Sequence, residues 1–199
     1  MKRSRSITAS FIVAVAVLFV VRRSTAAEEE IACTDEDYSI FSAALTDLYG
    51  TNWTLVLLNR TSTGHPPGLG ASVDVGGKQT RAMLEAVPKE AREDYDRRNK
   101  LHAPIKADHF RIGSPLVLLS PEEAIKLIDG GGWAPFKRKY PYAQGVTILS
   151  LPGISARRDA AVLYVGQSCG GLCGEGFLVR LAKDGNRWRV VAKETVWVS

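Results

Sequence analysis

Apolar residues recur at helical spacing early in the chain, at Ile40, Phe41, Ala44, Leu45, Leu48 and Tyr49. Residues three and four apart share one face of an α-helix, so this run predicts an amphipathic helix over 35–49. Thr34 with an acid three residues on, Asp37, supplies a cap, and Gly50 a stop. The segment 53–58 reads as a short strand, and 61–77, rich in Gly, Pro and Ser, as a loop. From 79 to 100 the chain is strongly charged. Its thin apolar stripe of Met83, Leu84, Val87, Ala91 and Tyr95 predicts helix, broken in two at Pro88. A brief apolar strand follows over 116–119. Ser120-Pro121-Glu122-Glu123 then places a cap, a proline at the first helical position and an acid at the third, and opens a helix that Gly130-Gly131-Gly132 ends.

From Gln144 the pattern changes to period two and to β-branched residues, which predicts strands at 145–151, 160–166, 176–182 and 188–198. Asp184-Gly185 predicts a type I′ hairpin between the last two. Helices early and strands late indicate an α+β fold, with helices of the N-terminal half packed on a C-terminal antiparallel meander of about four strands. No repeat or linker divides the chain, and 27–199 reads as a single domain.

Residues 11–21 are an unbroken apolar run behind Lys2, Arg3 and Arg5, and Ser24, Thr25, Ala26 and Ala27 follow. A basic head, an apolar stretch of this length and small residues are the pattern of a secretory signal peptide, with cleavage expected after Ala26. The alternative is an uncleaved anchor, which Arg22 and Arg23 favour, but a span needs roughly 20 apolar residues and this run is shorter. Composition changes meaning once this segment is set apart. The whole chain of 199 residues has a formal charge of +5, yet residues 1–26 hold five basic residues and no acid. The remainder has 21 of each sign. A neutral domain gives no reason to expect a nucleic acid partner, and membrane contact is expected only through the N-terminal segment.

Export makes disulfides permissible. Cys169 and Cys173 flank Gly170-Gly171-Leu172 between two strand-like runs, so a disulfide across a hairpin is the reading we favour, with Cys33 left over. Metal binding, redox activity and two free thiols remain open at this point; His65, His102 and His109 lack a tight ligand spacing. Gly166-Gln167-Ser168-Cys169-Gly170 matches G-x-S-x-G, but no His follows residue 109 and a strand follows the serine. The chymotrypsin-like order His, Asp, Ser is formally available, yet a helix-rich amino half does not suit a double barrel. Asp74–Lys78 lacks the first Gly of a phosphate loop, and Asp35–Asp37 lacks the Gly and Glu of a calcium loop. His102 and His109 are candidates for proton transfer. Arg97, Arg98 and Lys100 together with Lys137, Arg138 and Lys139 are candidates for a local anion patch. Trp133, Phe136 and Tyr140 share a helical face, which normally marks core, and they are also the candidates for lining a ligand cleft.

The series Trp133-x-x-Phe136-x-x-x-Tyr140-Pro141, Gly145, Ser150, Ala161, Tyr164, Cys169-Gly-Gly-Leu-Cys173-Gly, Gly185-x-x-Trp188-x-Val190 and Trp197-Val198-Ser199 resembles a group of exported bacterial proteins of unknown function. The resemblance covers 133–199. It implies a secreted, disulfide-containing domain and assigns no catalytic residue. The closing Asp-Gly-x-x-Trp-x-Val hairpin also resembles the end of cystatin-like or NTF2-like folds, in which helices pack on a curved antiparallel sheet. The resulting expectation is a periplasmic or secreted, non-enzymatic domain that binds a ligand or an envelope protein, without a cofactor. The alternative is a small hydrolase whose Glu or His residues meet only in three dimensions.

Overall fold

The computed structural model describes residues 31–62, 78–129 and 132–199. The expected signal segment 1–26 and most of the expected 61–77 loop lie outside the described residues, as do Asp74–Gly77 and the first two glycines after residue 129. The elements are α1 (Asp35–Tyr49), β1 (Thr54–Leu58), α2 (Lys78–Glu85), α3 (Lys89–Arg98), a 3-10 turn (Ala107–His109), β2 (Leu116–Leu119), α4 (Pro121–Asp129), α5 (Ala134–Lys139), β3 (Ala143–Leu149), β4 (Gly153–Ile154), β5 (Ala160–Gly170), β6 (Cys173–Asp184) and β7 (Arg187–Val198). The fold is α+β.

Local chemistry accounts for the boundaries. Thr34 and Asp37 form a capping box at the start of α1, and Gly50 ends that helix at φ +65°. Ser120 and Glu123 form a second box ahead of α4. Pro88 separates α2 from α3 because its ring cannot continue a helix. The last hairpin differs from the expected type I′ turn. Its central residues are Gly185 and Asn186, and only Gly185 has positive φ, which is the requirement of type II′.

The described strands form one mixed sheet in the order β2-β1-β3-β5-β6-β7, with β4 paired to the start of β5. β3, β5, β6 and β7 are the expected antiparallel meander. The sheet is larger than that because β1 and β2 join it in parallel, β1 lying between β2 and β3. β1 and β2 are five and four residues long, β1 buried at its centre and β2 half-buried except at Leu119, so each is a short apolar run without the alternation that identifies a half-exposed strand.

Alternation along the strands divides the core into two faces. Leu55, Leu57, Leu149, Leu163 and Val165 pack with Ile40, Phe41 and Leu45 of α1. Val56 and Val146 point the other way, onto Phe136 and Ala124 of α5 and α4. On that same face Val162 and Leu178 meet Met83 of α2, Ala91 of α3 and Val87 in the turn between them. Helices therefore cover both faces, unlike the one-sided cover of a cystatin-like or NTF2-like sheet.

α3 approaches the sheet edge so closely that its backbone rests on Gly153 in β4. A methyl group there would overlap the Ala91 carbonyl oxygen and Tyr95. Gly153→Ala is expected to destabilise the protein by about 1–3 kcal/mol through overpacking, read as a lower denaturation midpoint in urea. An unchanged midpoint would mean that α3 is not seated on this strand.

Candidate functional site

Three segments distant in sequence close one end of the sheet: the first turn of α1, the outer side of α3 and the turn between β4 and β5. A buried ion pair joins them. Arg98 Nη1 and Nη2 donate to Asp37 Oδ1 and Oδ2, both at 2.8 Å, and Nη1 also donates to the Pro152 carbonyl oxygen at 2.7 Å. The Asp37 side chain is fully buried and that of Arg98 is 11% exposed. Removing two charges from water costs several kcal/mol each, and only bidentate geometry with further hydrogen bonds offsets it. Asp37 meets that condition, since its Oδ2 also accepts the Thr34 N–H and hydroxyl. Burial opposes the charge on Arg98, but the hydrogen bond and charge of Asp37 outweigh it and hold the guanidinium pKa above its ordinary value.

Neighbouring groups fix the remaining walls. Asn99 clamps the end of α3 to the segment after β3, accepting from Leu151 N at 2.7 Å and donating to its carbonyl at 2.8 Å. Asp94 Oδ2 accepts the Ile154 N–H at 2.9 Å, and Oδ1 pairs with Arg97. Ser155 donates to Asp159 Oδ1 and accepts two backbone N–H groups, closing a turn in which Arg158 adopts φ +58°. Arg158 pairs with Glu36, which also holds Lys183 at 2.8 Å.

These elements enclose an open groove of about 620 Å³, lined in part by Thr34, Asp94, Arg98 and Ser155. That volume lies within the range of small-molecule sites. Its floor groups are bonded to one another, so capacity to bind resides at the rim. There Glu90 and Glu93 stand toward one end and Arg97 toward the other, all exposed, with Glu93 and Arg97 engaged only in solvated surface pairs with Lys89 and Asp94. Seven residues of α3 separate Glu90 from Arg97, which is two turns on one face, or about 10 Å. The rim therefore offers both signs of charge. No His lines it, and its one serine is fully engaged with Asp159 and the backbone. No described grouping of three or more His, Cys, Asp or Glu is placed to hold a metal ion.

Most residues expected to matter lie elsewhere. Cys169 and Cys173 form a disulfide at the β5–β6 turn with Cα atoms 5.1 Å apart, a pairing compatible with an oxidising compartment. Trp133, Phe136 and Tyr140 are brought together, with ring centroids 5.3 and 5.4 Å apart. Phe136 is 1% exposed, and the three rings pack between α4, α5 and the sheet without lining the groove. Ser168 sits near the hairpin end of β5, opposite Val146. His102 Nδ1 lies 2.7 Å from the Thr61 carbonyl past the far end of β1, and His109 stacks on Tyr38 near Asp35. Neither histidine is assembled with Ser168.

The candidate anion patch is divided. Arg98 is committed to Asp37, while Lys137–Lys139 lie at the opposite end of β3. In the sequence, the groove residue Thr34 and the buried Asp37 beneath it are visible as a helix cap, and Arg97 and Arg98 as part of a charged helix. Nothing in the sequence signals that Arg98 reaches a carboxylate 61 positions away. No family model, curated protein or solved structure matches this chain.

Two outcomes follow from this geometry. Arg98→Met leaves Asp37 buried without a countercharge and is expected to cost about 3–5 kcal/mol in denaturant unfolding. A loss below about 1 kcal/mol, the value of a surface pair, would contradict the buried bond. Cys33 is a free, half-buried thiol whose pKa burial and the nearby Asp37 charge push up to about 12. Only about one part in ten thousand is thiolate at pH 8, so native alkylation should be slow and accelerate about tenfold per pH unit. Labelling at the rate of the unfolded chain would contradict this burial.

Proposed function

We propose that the chain is an exported, non-enzymatic binding domain whose ligand occupies the groove between α1, α3 and the β4–β5 turn. The observation that carries this reading is the groove itself, with its self-bonded floor and a rim presenting carboxylates and guanidinium groups toward opposite ends. A fixed floor reduces the entropic cost of binding, and exposed charges of both signs suit a small polar molecule or a charged protein segment. The N-terminal apolar run and the disulfide favour a periplasmic or secreted setting.

The second reading is a small hydrolase. It draws on the approach of Glu90, Glu93 and Asp94 to one groove. Against it, Asp94 is bound by Arg97 and the Ile154 N–H, and the serine that lines the groove, Ser155, is tied to Asp159 and to two backbone N–H groups that close a turn.

The test is a thermal-shift screen against small polar metabolites and envelope proteins. A ligand at about 100 times its Kd adds about 2.7 kcal/mol, which raises the Tm of a chain of this size by about 5–10 °C. Ala156→Trp, at an exposed groove position, should abolish the shift and leave the unliganded Tm unchanged. A ligand whose shift survives that substitution would remove the groove from consideration. A turnover activity lost in Glu90→Gln would replace binding with hydrolysis.

A further inference from the structure

We propose that the end of the sheet opposite the groove docks onto an anionic phospholipid membrane surface. Three large side chains project there from separate connections. Trp53 precedes β1, Tyr142 precedes β3, and Leu172 is the apex of the β5–β6 hairpin. They are 42%, 71% and 91% exposed. Topology sets them side by side. Thr54 donates to the Tyr142 carbonyl at 2.9 Å, and Thr54 pairs with Ala143. β3 pairs antiparallel with β5 as far as Val146↔Ser168, so the start of β3, which Tyr142 precedes, and the β5–β6 turn that carries Leu172 lie at the same end of the sheet. At about 4.8 Å per strand, the three tips span about 12 Å. Val198, 74% exposed, ends β7 on the same side, set back from them.

Charge complementarity identifies the occupant. Lys137, Arg138 and Lys139 form the last turn of α5, just before Tyr142, and all three are exposed. None takes part in an ion pair among the described residues; Lys139 lies over the Tyr140 ring at 5.3 Å. Cations beside Trp and Tyr, with an aliphatic tip among them, form the composition that sits at a lipid headgroup boundary. The tips stand on three separate connections, a shape suited to insertion between headgroups. Cys169–Cys173 holds Leu172 at its apex, so little ordering remains to be done on contact.

This arrangement suits a chain released from its N-terminal segment, since α1 starts at the groove end and a tether there would hold that end toward the membrane. Docking by the hairpin end turns the groove toward water. The inference does not depend on what the groove binds.

The full chain is tested by co-sedimentation with vesicles of phosphatidylcholine alone or containing about a third phosphatidylglycerol. Three cations at the surface are expected to favour the anionic vesicles by about a hundredfold at low salt, with the preference falling at high salt. Lys137→Glu/Arg138→Glu/Lys139→Glu should remove the preference. Leu172→Asp retains those cations and both cysteines, and it should weaken partitioning about tenfold with an unchanged Tm. The N-terminal segment is common to all variants, so differences among them report the patch. Equal partitioning of wild type and variants would overturn the proposal. So would binding to poly-glutamate that matches vesicle binding and is indifferent to Leu172→Asp, which would assign the patch to an acidic protein.

Discussion

The Arg98–Asp37 pair fixes the relation between helices that the sheet keeps apart. α1 covers one face and α3 the other, so no hydrophobic contact can set the position of one against the other directly. The pair reaches around the end of the sheet and does so with two parallel hydrogen bonds, which specify direction as well as distance. Asp37 is held from three sides, by its own helix cap, by Arg98 and by burial. Arg98 in turn holds the Pro152 carbonyl, so the chain leaving β3 is positioned by the same guanidinium. A hydrophobic pair of equal volume would be as stable by area, but it would permit sliding that a bidentate bond forbids.

That constraint explains why a groove exists at this end. α3 is pressed onto β4, where Gly153 allows backbone contact, and its C-terminal end is bound through Asn99 to Leu151. Its charged face, Glu90 to Arg97, therefore cannot fold down over the β4–β5 turn. The turn is independently locked by Ser155 and Asp159. Two rigid walls with a buried charged floor leave a space that neither wall can fill. The recess is thus a by-product of how the helices are anchored, and any ligand it takes meets a surface that is already ordered.

Much of the local architecture was legible in the sequence. The capping boxes at Thr34 and Ser120, the break at Pro88, the meander and the Cys169–Cys173 turn each depend on residues within a few positions of one another. What was illegible depends on distant pairs. β1 and β2 carry apolar runs too short to reveal parallel partners, so the sheet was underestimated. The dipeptide Asp-Gly suggests a type I′ centre, whereas Asp184 pairs with Arg187 and Gly185-Asn186 turns the chain as type II′. Helical spacing puts Trp133, Phe136 and Tyr140 on a shared face, yet a face alone does not say whether it meets the sheet or a cleft. Arg98 looked like any other residue on a solvated helix.

Net charge shows the same limit in another form. Beyond residue 26 the chain holds equal numbers of acids and bases, and that neutrality argued against polyanionic partners. Neutrality of the total does not require neutrality of each surface. At the groove end, cations stand against carboxylates: Arg98 with Asp37, Arg158 and Lys183 with Glu36, Arg97 with Asp94. Those pairs consume basic residues in cancelling local charge, and the field they leave is short-ranged. At the hairpin end, Lys137, Arg138 and Lys139 have no such partners among the described residues, so a stretch of chain with no net excess still carries a concentrated positive region. The sum over the sequence averages these two ends together, and only the fold, by committing some arginines to carboxylates and leaving others facing solvent, separates them.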